Sequence, residues 1–147
     1  MHSKDEAPVS SAVLGYGGVI PFLGLALNYW LGGPLFPGFA LQAFLVYSAV
    51  ILSFLGGIRW GAAVNLGKTR TRELALSVLP SLFAAGTLLL PSPLWSVWAL
   101  LAGFLLVGLG DVLVPGPSVP RWMIRLRIRL TIAVVVCHLL MLAAFYR

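Results

Sequence analysis

Five long apolar stretches run along the chain, separated by short segments rich in polar residues, proline or glycine. Each is about 20 residues long, the length that an α-helix needs to cross a hydrocarbon core of roughly 30 Å. The predicted spans are about 11–31, 39–58, 74–90, 94–114 and 130–146. Residues 1–10 form a polar tail. We therefore predict that 11–147 forms one all-α membrane domain, a bundle of about five transmembrane helices.

The composition is that of a chain whose surface faces lipid. Sixty per cent of the residues are hydrophobic and 10% are charged, whereas soluble domains carry roughly 25% charged residues. The net charge of +6 comes from short basic clusters beside the apolar stretches. This pattern is typical of juxtamembrane loops that face anionic lipid head groups. Membrane lipids are therefore the expected partners and nucleic acid is not.

The basic residues indicate the orientation of the bundle. Basic clusters occupy the connection between the second and third spans and the connection between the fourth and fifth. Together with Lys4 they hold nine of the ten basic residues, and only Arg147 falls on the other side. Lys and Arg are retained on the non-translocated side of a membrane. We expect the N-terminus inside and the C-terminus outside.

The basic segment 119–129, which precedes the last span, alternates charged and apolar residues. Such alternation is typical of a strand, but an unpaired strand at a membrane would leave its backbone groups unsatisfied. In a helix, Arg121, Arg125 and Arg129 share one stripe. This helix would either lie along the inner interface or run directly into the last span. The stripe would anchor the chain to lipid, or bind an anionic ligand or an acidic partner subunit.

Two predicted helices carry small residues at four-residue spacing, which lets another backbone approach closely. The seven positions are Ala49, Ser53, Gly57, Gly61, Ser77, Ser81 and Ala85. They are interpreted as helix-packing positions within the chain, with contact to another subunit or to a close-fitting ligand as the alternatives.

Charged residues at the predicted inner ends of the helices form the first candidate site. Arg59 and Asp111 end two different spans, and charges near hydrocarbon are costly unless they are paired. We expect these two to form an ion pair, with snorkelling towards the head groups or a proton or substrate role as alternatives. The predicted inner-face polar cluster is Arg59, Trp60, Asp111, Arg121, Arg125 and Arg129.

Asn28 and His138 are polar residues inside predicted spans, where ionisable groups often mark functional sites. For His138 we expect a neutral imidazole bonded to a neighbouring helix. A metal or haem ligand would need a second donor, and the only other histidine is His2. Because Cys137 is the single cysteine, one chain cannot form a disulfide. No catalytic, metal or cofactor residue is predicted, although a phospholipid or quinone could bind.

Four segments together resemble the domain of unknown function 3429 family. They are LGYGGVIPFLGLAL, YSAVILSFLGGIRWG, SVLPSL and PRWMIRLRIRLT. The resemblance implies a small multi-pass protein of bacterial inner membranes, with relatives in the mitochondrial inner membrane, and brings no established reaction. It draws attention to Ser53, Phe54, Gly56, Gly57, Arg59, Trp60 and Gly61.

The function predicted from the sequence is non-enzymatic. An accessory or assembly subunit of a larger energy-converting membrane complex, contacting other membrane subunits and lipids, is the leading hypothesis. The alternative is a small oligomeric transporter or a lipid- or quinone-binding protein. Pro21 and Pro80 inside the apolar stretches would favour it, together with Asn28, Asp111 and His138. An enzyme acting on lipid is the third.

Overall fold

The computed structural model describes residues 7–65, 71–114 and 120–147, and these residues form six α-helices. The helices are α1 (Val9–Gly17), α2 (Ile20–Leu31), α3 (Pro37–Asn65), α4 (Thr71–Leu88), α5 (Pro93–Leu113) and α6 (Arg121–Phe145). No strand occurs within the described ranges. The predicted all-α fold is confirmed.

Proline and glycine set most of the helix ends. α3 and α5 begin at Pro37 and Pro93, where the missing N–H is harmless because the first turn leaves its N–H groups free. Pro120 precedes α6 with an extended backbone. Gly32 ends α2 with φ +64°, a left-handed conformation that glycine adopts without steric cost. The apolar stretches therefore become discrete helices joined by short connections.

Four helices, α2, α3, α5 and α6, form a closed ring, since each packs against two of the others: α2 on α3 and α6, and α5 on α3 and α6. α4 packs outside this ring against α3 and α5, and α1 contacts α6. The core of the bundle lies inside the ring.

Four helical segments are long and apolar enough to cross a membrane: α1 and α2 taken together, α3, α5 and α6. These segments contain the four ring helices together with α1, so the chain is a multi-pass helical membrane protein. α4 forms where the third span is predicted but is not among the four, and its first turn carries Arg72 and Glu73. That α4 also crosses the membrane stays a prediction.

Helix boundaries depart from the sequence-based spans in three places. The first span is two helices, with a break between Gly17 and Ile20 and with Pro21 in the first turn of α2. α3 continues to Asn65 instead of ending near residue 58. The basic segment from Arg121 onward is the start of α6, so it runs directly into the last span. Lys4, Lys68, Arg70 and residue 119 lie outside the described residues.

The two ends of the described chain lie at opposite ends of the bundle. Near the start, Ala12 and Tyr16 of α1 lie beside Trp122 and Arg125 at the beginning of α6. At the other end, the Arg147 guanidinium lies 5.6 Å from the Trp30 ring and donates to the Trp30 carbonyl. Which end faces the inside stays a prediction.

Candidate functional site: an ion-pair cluster above an aromatic centre

One carboxylate joins three helices at the end of the bundle where α6 begins. Asp111 Oδ1 lies 3.0 Å from Arg59 Nε, which is near the C-terminal end of α3. Asp111 Oδ2 accepts a hydrogen bond from Nη1 of Arg127 on α6. We call Arg59, Asp111 and Arg127 the ion-pair cluster. The Arg59–Asp111 pair expected from the sequence is present in the structure, with a second arginine added.

The packing of α5 on α6 explains why Asp111 meets Arg127. A Cβ on Gly108 would lie 2.8 Å from Cγ2 of Thr131, so these two residues mark a close approach of antiparallel helices. Asp111 follows Gly108 by three residues and Arg127 precedes Thr131 by four. Residues three or four apart share a helix face, and the same register therefore brings the two charged side chains together.

The ion-pair cluster is largely buried within the helix bundle. The Asp111 and Arg127 side chains are 11% and 16% exposed, whereas Arg59 is 34% exposed. Two cations around one anion leave an excess positive charge. Nη2 of Arg127 is buried and has no hydrogen-bond partner among the described residues. The arrangement can hold helix ends in register, and its charge favours anions nearby.

Beneath the ion-pair cluster, four rings fill the middle of the bundle, one from each ring helix. Phe22, Phe44, Phe104 and His138 come from α2, α3, α5 and α6, and each is at most 2% exposed. The imidazole ring centre lies 4.8 Å from that of Phe44 and 5.3 Å from that of Phe104. We call these four residues the aromatic centre. Rings at these distances and angles pack favourably.

His138 is bonded differently from the expectation. Its Nδ1 lies 2.9 Å from the Val134 carbonyl, one turn back in the same helix, and not near a polar group of a neighbouring helix. Nδ1 therefore donates and Nε2 carries a lone pair, and Nε2 is buried with no hydrogen-bond partner in the part of the chain that the structure describes. Within the described residues, no group of three or more His, Cys, Asp or Glu side chains could hold a metal ion.

The small-residue positions divide into two groups. Ala49 and Ser77 are buried, and Ser53 and Ser81 partly buried, which fits packing within the chain. Gly57, Gly61 and Ala85 are exposed instead, and a Cβ on either glycine would lie within 4 Å of no other described residue. For these three positions, the prediction that they pack within the chain is wrong.

The close contact between α3 and α4 comes from the neighbouring glycine. A Cβ on Gly56 would lie 2.5 Å from the Ser77 carbonyl oxygen and 3.4 Å from Pro80. The buried residues of α4 are Ser77, Pro80, Ala84 and Thr87. Pro80 thus serves close packing. Contact of Gly57 and Gly61 with another subunit stays a prediction.

The remaining predicted polar residues have separate surroundings. Arg121, Arg125 and Arg129 are exposed on α6, and the last two line a groove against α1. Trp60 is exposed. These four do not join the ion pair, so the predicted six-residue cluster is not one site.

Asn28 has a local structural role. Its amide donates to the Leu35 carbonyl at 3.1 Å and accepts from the Leu35 N–H at 3.2 Å. These two bonds fix the connection from α2 to α3 at the end of the bundle opposite the ion-pair cluster.

Arg127 is the functional candidate that the sequence analysis missed. The four-residue spacing of Arg121, Arg125 and Arg129 indicates one stripe of α6, and Arg127 lies on the opposite face of that helix. That face continues through Val134, His138 and Met141, all buried. The sequence does contain a signal for Arg127: its spacing from His138 and Met141 places it on the apolar face of the same helix.

Comparison with known proteins gives one family. The profile of the family described as "Protein of unknown function (DUF3429)" matches residues 7–143. The chain is 35% identical over 133 residues to transmembrane protein 69 of Xenopus tropicalis, covering 88% of this chain and 52% of that protein. The chain therefore spans about half the length of this relative. No solved structure gave a significant match.

Proposed function

Because the chain belongs to the family described as protein of unknown function DUF3429, which supplies no reaction, we propose a function from its own surfaces. In this proposal the chain acts as a non-enzymatic accessory or assembly subunit of a larger energy-converting membrane complex. The expected location is the bacterial inner membrane, with the mitochondrial inner membrane as the alternative. Both are membranes in which such complexes assemble.

The observation that carries this proposal is the outward face of α3. Gly57 and Gly61 lie one turn apart with open space beside them, and Phe54, 62% exposed, precedes them on the same side. Lipid tails are as apolar as the helix, so close backbone contact at small residues is a main source of helix association in membranes. We call the open space at Gly57 and Gly61 the α3 notch. It accommodates the transmembrane helix of another subunit.

The filled interior is consistent with a role performed at the surface. The aromatic centre occupies the middle of the ring, where a transporter of the kind considered from the sequence would bind its substrate. Buried hydroxyl groups bond backbone carbonyls: Ser48 to Phe44, Ser77 to Leu74 and Ser96 to Thr87. Lipid or quinone binding, the other part of the alternative, is favoured by a separate feature, the groove between α1 and α6.

The test fills the α3 notch without disturbing the chain's own packing. The full chain carrying Gly57→Leu and Gly61→Leu is purified in mild detergent beside the wild type, and co-purifying proteins are quantified by mass spectrometry. We expect the wild type to retain subunits of one energy-converting complex in fixed ratio, and the double variant to lose them about tenfold or more.

Gly86→Leu is the matched control, because Gly86 on α4 is also exposed with nothing within 4 Å of its Cβ position. It should retain the partners. A wild-type chain that purifies alone or as a symmetric oligomer would overturn the proposed role, as would a double variant that keeps its partners.

A further inference from the structure

A groove of about 200 Å³ lies between α1 and the beginning of α6. It is more than ten times the roughly 15 Å³ that one ordered water requires, so a polyatomic group fits. Its lining combines two guanidinium groups, two aromatic side chains and apolar side chains, contributed by Ala7, Ala12, Tyr16, Trp122, Arg125, Leu126 and Arg129.

We propose that this α1–α6 groove binds the phosphate of an anionic phospholipid. Arg125 and Arg129 lie one turn apart on the same helix face, and arginine guanidinium groups match phosphate oxygens in two-pronged geometry. The Tyr16 hydroxyl and the Trp122 indole each add one hydrogen-bond donor to the lining. The lining thus offers positive charge and donors, which is the chemistry that a phosphodiester requires.

The surroundings favour a lipid over a soluble anion. Val9, Val13 and Leu14, on the same helix as Tyr16, are all strongly exposed. These apolar side chains can contact the acyl chains of a lipid whose head group lies in the groove. The groove is also at the end of the bundle where the ion-pair cluster lies, and there Trp and Tyr side chains suit the level of the head groups.

Electrostatics at this end of the bundle act in the same direction. The described residues there include six arginines, Arg59, Arg72, Arg121, Arg125, Arg127 and Arg129, and two acids, Glu73 and Asp111. Each basic residue that lies against the bound head group contributes about a fivefold increase in affinity for anionic lipid. The site does not depend on the proposed assembly role, since no residue of α3 lines the groove.

Native mass spectrometry of the full chain in neutral detergent tests the proposal. Phosphatidylglycerol and phosphatidylcholine with identical acyl chains are titrated separately, and the bound fraction gives an affinity for each. We expect tighter binding of phosphatidylglycerol, and about a 25-fold loss of that affinity in Arg125→Gln with Arg129→Gln.

Arg72→Gln is the matched control, because Arg72 is an exposed arginine at the same end that does not line the groove. It should change the phosphatidylglycerol affinity less than twofold. An equal loss in this control would overturn the site in favour of general surface charge. Equal binding of the two lipids, or displacement of phosphatidylglycerol by inorganic phosphate, would also overturn the proposal.

Tyr16→Phe keeps the test decisive if the double arginine variant fails to fold. It retains the ring and the helix while removing one donor, and a severalfold weaker affinity for phosphatidylglycerol is expected. An unchanged affinity in this variant, when the double variant does not fold, would contradict the proposal. Retention of partner subunits by these variants separates this result from the assembly role.

Discussion

The ion-pair cluster and the aromatic centre both bury polar atoms between helices, but they differ in how those atoms are satisfied. In the cluster, Asp111 contacts Arg59 and Arg127, so a charged carboxylate has partners on two other helices. In the centre, among the described residues, His138 bonds only its own helix and Nε2 has no partner. The difference indicates that charge sets the register at the end of the bundle, whereas ring shape fills its middle.

The largest effect should follow from breaking the ion-pair cluster. Arg127→Met keeps an apolar stem but leaves the Asp111 carboxylate, 11% exposed, with Arg59 alone. Removing one partner of a buried ion pair costs about 3–5 kcal/mol. We expect a loss of unfolding free energy near the lower value, because Arg59, although partly exposed, still pairs with the carboxylate. Reversible denaturation in detergent micelles measures it.

Two variants show whether pairing is the cause. Arg121→Met removes an exposed arginine that precedes Arg127 by six residues in α6. It should change the unfolding free energy by less than about 1 kcal/mol. Adding Asp111→Leu to Arg127→Met should recover much of the lost stability, because the buried carboxylate that has lost its Arg127 partner is then absent. Equal effects of Arg127→Met and Arg121→Met would contradict this account.

An intermediate effect is expected between the two regions, where α5 and α6 approach most closely. Gly108→Ala places a methyl group 2.8 Å from Cγ2 of Thr131, so the Thr131 side chain or the helix that carries it must shift. Overpacking of this kind costs about 1–3 kcal/mol. The same denaturation experiment should show recovery when Thr131→Ala is added. Gly57→Ala, whose new methyl group meets nothing within 4 Å, should cause no loss.

The smallest effect should come from the aromatic centre. His138→Phe replaces one ring by another of similar size and removes Nε2, which has no partner within residues 7–65, 71–114 and 120–147. Swaps that conserve volume usually cost less than about 1.5 kcal/mol, and the lost Nδ1 bond is local to α6. A loss as large as that of Arg127→Met would show that Nε2 has an essential partner, and the contrast between the two regions would fail.

The sequence predicts the all-α fold because hydrophobic length alone distinguishes spanning helices. It also predicts the Arg59–Asp111 contact, since two unpaired charges at neighbouring helix ends are costly. It does not predict where α6 begins, because alternation of Arg with Leu and Ile is compatible with strand, surface helix or continuous helix. That ambiguity hid Arg127, whose inward position follows only from a helix continuous with the buried face at His138.

The α3–α4 contact shows why packing faces are harder to predict than helices. Gly56 and Gly57 are adjacent in the sequence, and one residue rotates the side-chain position by about 100° around a helix. The spacing of small residues fits either glycine. Only the position of Ser77 on α4, against which Gly56 packs, decides which one faces inward.

The break between α1 and α2 has a mechanical consequence. The Tyr47 hydroxyl donates to the Gly18 carbonyl at 2.8 Å, so the interrupted backbone is held at the side of α3 and is not left unsatisfied in hydrocarbon. α1 itself buries no residue, and its close approach to α6 is at Gly15 and Leu130. α1 is therefore joined to the bundle by this junction and by its contact with α6, so a change in its angle would alter the α1–α6 groove without exposing the buried core.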